Sequence, residues 1–135
     1  MMKNILKYFL AFVFFFSGFM KLIDFRNTAY FYSTVIKLPV DAVKIMLSLL
    51  IILELIFAGL ISFDFILNKT IYYLIFFSLL FFTMTSISFM IFGTDNCGCF
   101  GTIIIDKPVI SVIKNVILFI ILFILRKQTI IKQYA

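Results

Sequence analysis

Residues 70–92 read TIYYLIFFSLLFFTMTSISFMIF, and no charged side chain interrupts them. A helix rises ~1.5 Å per residue, so this run is long enough for the ~30 Å hydrocarbon core of a bilayer. Inside lipid the backbone must satisfy its own hydrogen bonds, which leaves a helix as the form for a single apolar run. Lys69 stands immediately before the run and Gly93 immediately after it. The stretch therefore predicts a transmembrane helix with defined ends.

Three further segments of the same character lie outward from it. Residues 8–23 follow Lys3 and Lys7, residues 40–63 follow Pro39, and residues 108–125 end at Arg126 and Lys127. Over the 135 residues, 64% are hydrophobic and 13% charged, against ~45–50% and ~25% in soluble domains. A water-soluble fold of this size has no interior to hold so much apolar surface. The expected fold is an all-α membrane protein. It is a four-transmembrane-helix bundle filling residues 1–135 as one domain, with a short Cys-Gly-Cys loop between helices 3 and 4. The first segment is short for a span, although lysine stems extend it by snorkelling. Its basic start also resembles a signal peptide, but Lys21, Asp24 and Arg26 stand where a cleavage site would be. The polar and aromatic stretch 24–38 reads as a loop at the membrane surface.

The net charge of +6 sits mainly beside the apolar segments. That is the arrangement of helix-end anchors and gives no footing for nucleic acid. Four spans place both termini on one side, and residues 24–38 and the cysteines together on the other. Each face then carries six Lys or Arg residues, so the positive-inside rule does not choose between them. The absence of histidine removes imidazole metal sites, histidine-ligated haem and histidine-dependent triads. No metal is assigned.

Cys97 and Cys99 are the only cysteines, in Gly93-Thr94-Asp95-Asn96-Cys97-Gly98-Cys99-Phe100-Gly101. An incidental loop, a metal site completed by further ligands, and a reversible dithiol all compete. Gly98 gives the backbone freedom to bring the thiols together, and the small ring so closed is strained and readily exchanged. Spacing thus favours the dithiol, whose exchange partner is another molecule. Lys21 or Arg26, on the same face, is placed to stabilise a thiolate. The one glutamate, Glu54, lies about 20 Å from the helix start at Pro39, too deep for direct contact with the cysteines. A charge at that depth is costly. Glu54 is expected to face the interior, protonated or bonded to hydroxyls such as Thr83 or Ser86. It serves there either as a proton- or quinone-binding group or as an interhelical hydrogen bond.

Phe16-Ser17-Gly18-Phe19-Met20-Lys21-Leu22-Ile23-Asp24, Glu54-Leu55-Ile56-Phe57-Ala58-Gly59, Cys97-Gly98-Cys99-Phe100-Gly101 and Lys114-Asn115 occur in that order. The series resembles the MauE branch of the DoxX-like membrane proteins over nearly the whole chain. The resemblance implies a four-helix bundle that assists maturation of a disulfide-rich partner. Related proteins linked to quinone chemistry point to a membrane quinone, although no cofactor is firmly implied. It marks Cys97 and Cys99 as the redox pair, with Gly98, Phe100, Gly101, Lys21, Asp24 and Glu54 as supporting positions. The expected function is thiol–disulfide exchange with an extracytoplasmic thioredoxin-like or substrate protein. The setting is the cytoplasmic (inner) membrane, with cytoplasmic termini and an extracytoplasmic cysteine loop. A homodimer fits a protein this small. The alternative is a non-catalytic assembly factor or scaffold. A transporter fits poorly, since a single acid makes a meagre substrate path.

Overall fold

The computed structural model describes residues 1–64, 68–93 and 107–134. Five helices occupy them: α1 (Met2–Ile23), α2 (Phe25–Ile36), α3 (Val40–Ser62), α4 (Lys69–Ile91) and α5 (Pro108–Tyr134). Four of them, α1, α3, α4 and α5, are long and apolar enough to cross a membrane. The expected spans therefore stand. Two boundaries shift: α1 begins at Met2 rather than residue 8, and α5 runs past Arg126 and Lys127 to Tyr134. Arg126 lies within the helix, its guanidinium over the rings of Tyr72 (4.3 Å) and Tyr73 (5.2 Å) on α4.

The stretch expected to be a surface loop is instead the helix α2. Asp24 makes the break from α1: its N–H bonds to the Met20 carbonyl, and its own carbonyl accepts from Thr28. Phe25, Thr28, Ala29 and Tyr32 recur at helical spacing. Thr28 and Ala29 are buried, and Phe25 and Tyr32 pack with Val43, Leu47 and Ile51 of α3. Twelve residues of helix reach only ~18 Å, too short to span. Lys37 closes α2 in the left-handed conformation (φ 59°), and Ser33 Oγ donates to the Leu38 carbonyl at 2.9 Å. The N-caps differ. Pro39 caps α3 with its fixed φ and no side-chain bond, whereas the Asn68 side chain accepts from the Thr70 N–H at the start of α4.

The pairs along α1 and α3 run in opposite order: Lys21 with Glu54, Phe14 with Phe57, Lys7 with Asp64. Those two helices are antiparallel. So are α4 and α5, through Ser86–Ser111 and Phe76–Phe119. Helix α1 also packs on α5, giving the order α3–α1–α5–α4 around the bundle. Leu10, Phe14, Ile61, Ile75, Leu79, Leu122 and Leu125 fill its centre.

The polarity of surface and interior is inverted relative to a soluble fold. Phe12, Phe15, Ile52, Phe77, Phe81 and Phe123 face outward. Lys21, Glu54, Ser86, Ser111 and Asn115 are buried. Water rejects such a surface and lipid accepts it. The bundle is therefore placed in a bilayer as a multi-pass membrane protein.

Candidate functional site

Lys21 lies on the last turn of α1 and Glu54 in the middle of α3, each about 1% exposed. Lys21 Nζ donates to Glu54 Oε1 at 2.7 Å and to Ser17 Oγ at 3.1 Å. Ser17 Oγ in turn donates to the same carboxylate oxygen at 3.3 Å. Residues 17 and 21 are one helical turn apart, so both side chains leave α1 on one face. The Lys21 ammonium also lies 5.3 Å from the centre of the Phe82 ring on α4. An ion pair in hydrocarbon persists only when both charges are compensated at close range. This triad supplies that compensation.

Gly18 brings the two helices close enough. A Cβ there would stand 3.2 Å from Leu55 Cδ2 and 3.4 Å from Glu54 Cβ. The stagger of the helices also matters. Glu54 follows fourteen residues after Val40, about 21 Å along α3, yet it sits level with the last turn of α1. The first part of α3 runs beside α2 instead.

The expected hydroxyl partners of Glu54 are not its partners. Thr83 Oγ1 donates to the Leu79 carbonyl. Ser86 Oγ donates to the Phe82 carbonyl and meets Ser111 Oγ at 3.0 Å. Hydroxyls on a lipid-embedded helix settle on carbonyls of the preceding turn, and Thr85 and Ser88 do the same. The lysine at the end of the first span was also expected to reach the surface. It turns inward because an unpaired Glu54 would cost more than desolvating the lysine ammonium in a close ion pair.

Asp24 has a different place. It is largely buried at the α1–α2 junction and accepts from Asn27 Nδ2 at 2.8 Å. Arg26 is exposed. Cys97, Gly98, Cys99, Phe100 and Gly101 lie outside the described residues.

Two cavities meet at Lys21. The smaller, about 30 Å³, is lined by Ser17, Lys21, Glu54, Lys114 and Asn115 with an apolar remainder that includes Phe82. The larger, about 370 Å³, lies between α3 and α4, which share few contacts. Its walls include Met46, Leu50 and Leu53 of α3 and Phe81 and Phe82 of α4, with Lys21, Tyr32 and Thr85 as polar points. Burial pushes the Tyr32 phenol above its ordinary range, and the Glu54 carboxylate adds to this, so the phenol stays a neutral donor.

Sequence reasoning did not include Ser17, Phe82, Lys114 or Asn115 in the site. For Ser17 the signal was available in its spacing of four from Lys21. For Phe82 and Asn115 no local signal exists, because their place around the same cavity depends on how α4 and α5 are rotated. Among the described residues, no group of three or more His, Cys, Asp or Glu is placed to hold a metal.

No curated protein and no solved structure matches the chain. The family described as methylamine utilisation protein MauE matches residues 1–127. This membrane bundle, built around a buried Lys21–Glu54 pair, therefore belongs to the MauE family.

Proposed function

We propose that the chain is a membrane thiol–disulfide redox protein supporting disulfide formation in an extracytoplasmic partner. The observation that carries this reading is Cys97-Gly98-Cys99, the only two thiols of a MauE-family chain, in the connection from α4 to α5. In the oxidised form a partner thiolate attacks the Cys97–Cys99 disulfide, forming a mixed disulfide and releasing one cysteine as thiolate. The second partner thiol then attacks the mixed disulfide. The partner leaves oxidised, and Cys97 and Cys99 are left reduced. Their reoxidation releases two electrons and two protons, which a membrane quinone takes up to become a quinol. The cavity between α3 and α4 supports that assignment, being apolar, bordered by two spans and edged by Lys21 and Tyr32. Exchange with an extracytoplasmic partner sets the cysteines on the outer face, where an oxidising compartment favours the disulfide, and both termini in the cytoplasm.

The test is acid-quenched labelling of thiols with a mass-shifting maleimide, with and without prior reduction, beside an impermeant reagent applied before lysis. The wild type gives an oxidised fraction that changes with conditions and is reached from outside. Cys97→Ser and Cys99→Ser each abolish activity while insertion is retained. Full complementation by the double serine variant would refute the redox reading and leave a non-catalytic assembly role.

A further inference from the structure

Two buried polar atoms face the small cavity with no hydrogen-bond partner among the described residues: Glu54 Oε2 and Asn115 Nδ2. Glu54 is 1% exposed and Asn115 3%. A carboxylate oxygen left bare inside a bilayer is costly, like any uncompensated polar group there. One of these atoms accepts hydrogen bonds and the other donates them. A water molecule takes the donor's hydrogen and gives its own to the acceptor, so the pair is complementary to water in sense. The cavity of about 30 Å³ exceeds the ~10–15 Å³ a water needs. Apolar cavities stay dry, but the lining of this one includes Ser17, Lys21 and Lys114.

We infer that this cavity is the seat of an ordered internal water that bridges Asn115 Nδ2 to Glu54 Oε2. The charged and titratable groups around the carboxylate come from three helices. Lys21 approaches it from α1, Lys114 from α5, and the phenol of Tyr32 senses it from α2. Helix α4 contributes only Leu79 and Phe82 to the seat. The water seat stands independently of the redox reading, but its use rests on it. Reduction of a quinone to a quinol takes up two protons, and Lys21 lines both cavities. The Lys21 ammonium gives a proton to a ring oxygen. Its amine is reprotonated through the bridging water and the Glu54 carboxylate by a proton released when Cys97 and Cys99 are oxidised; the second proton follows the same route.

Radiolytic labelling of the purified protein in nanodiscs, in ¹⁸O-water, tests the seat, because hydroxyl radicals form where water is bound. Phe14, Leu79 and Leu118 line the cavity, whereas Leu10, Ile61 and Leu122 are as deeply buried away from it. The first set is expected to gain ¹⁸O several-fold more than the second. Asn115→Leu fills the seat and lowers the first set to the control level. Equal labelling of the two sets in the wild type, which needs no variant to fold, would overturn the inference. The double serine variant at Cys97 and Cys99 retains the labelling, so loss of the redox reading leaves the seat intact. With decylubiquinone as acceptor, Asn115→Leu slows quinone reduction without slowing exchange with a partner dithiol. Unchanged quinone reduction would remove the proton role.

Discussion

Replacing Lys21 with methionine keeps the aliphatic stem and removes the charge that faces Glu54. At the 2.7 Å separation of Nζ and Oε1, two unit charges at an effective dielectric of 20 attract by about 6 kcal/mol before desolvation is counted. The measurable loss is smaller. Removing one member of a buried pair costs about 3–5 kcal/mol, most of it the penalty of stranding the other charge. The stranded carboxyl can escape by taking a proton, at about 1.4 kcal/mol for each pH unit above an ordinary value near 4.3. That escape costs about 3.7 kcal/mol at pH 7 and about 1 kcal/mol at pH 5. Lys21→Met is therefore expected to lose about 3–4 kcal/mol at pH 7 and to recover most of it at pH 5. The sign follows from the proton count: the folded variant binds one more proton than the unfolded chain, so its stability falls as pH rises. Lys21→Met/Glu54→Leu removes both charges and should regain most of the loss at pH 7. The assay is reversible unfolding in mixed micelles of dodecylmaltoside and SDS, followed by circular dichroism. A loss below about 1 kcal/mol at pH 7, or a double variant no more stable than the single, would refute the view that Lys21 and Glu54 form an intact buried ion pair.

The same micelle titration serves for the helix contacts. Gly18→Ala should be tolerated, since the nearest atoms belong to the Leu55 side chain at 3.2 Å and can give way; Gly18→Leu should separate α1 from α3 and destabilise by about 1–3 kcal/mol through overpacking. Ser86→Ala and Ser111→Ala each remove one side of a buried hydroxyl pair at 3.0 Å; each should cost about 0.6–2 kcal/mol, and the double variant less than the sum. Met46→Trp should fill the cavity between α3 and α4, leaving the fold intact and weakening binding of decylubiquinone measured by fluorescence quenching.

Hydrophobic length is a property of consecutive residues, so the sequence alone determined the membrane class and four spans near their final places. The family was equally legible, since Phe16-Ser17-Gly18, Glu54 and Cys97-Gly98-Cys99 fall in order along one chain. The helical nature of α2 was present in the spacing of Phe25, Thr28, Ala29 and Tyr32, but twelve residues with Asp24, Arg26 and Asn27 at the start read as loop when no partner surface is known. Only the tertiary structure decided what Glu54 meets. Its depth counted along α3 pointed to the hydroxyls of α4, whereas the stagger of α1 against α3 sets it beside Ser17 and Lys21. Hydrogen-bond partners thirty-three residues apart depend on the relative height and rotation of two helices. Those are fixed by the packing at Gly18 and Leu55 and leave no local trace in either helix's own sequence. The place of Asn115 in the cavity that Glu54 also lines arises in the same way, from the rotation of α5 that buries Ser111, Asn115, Leu118 and Leu122 together.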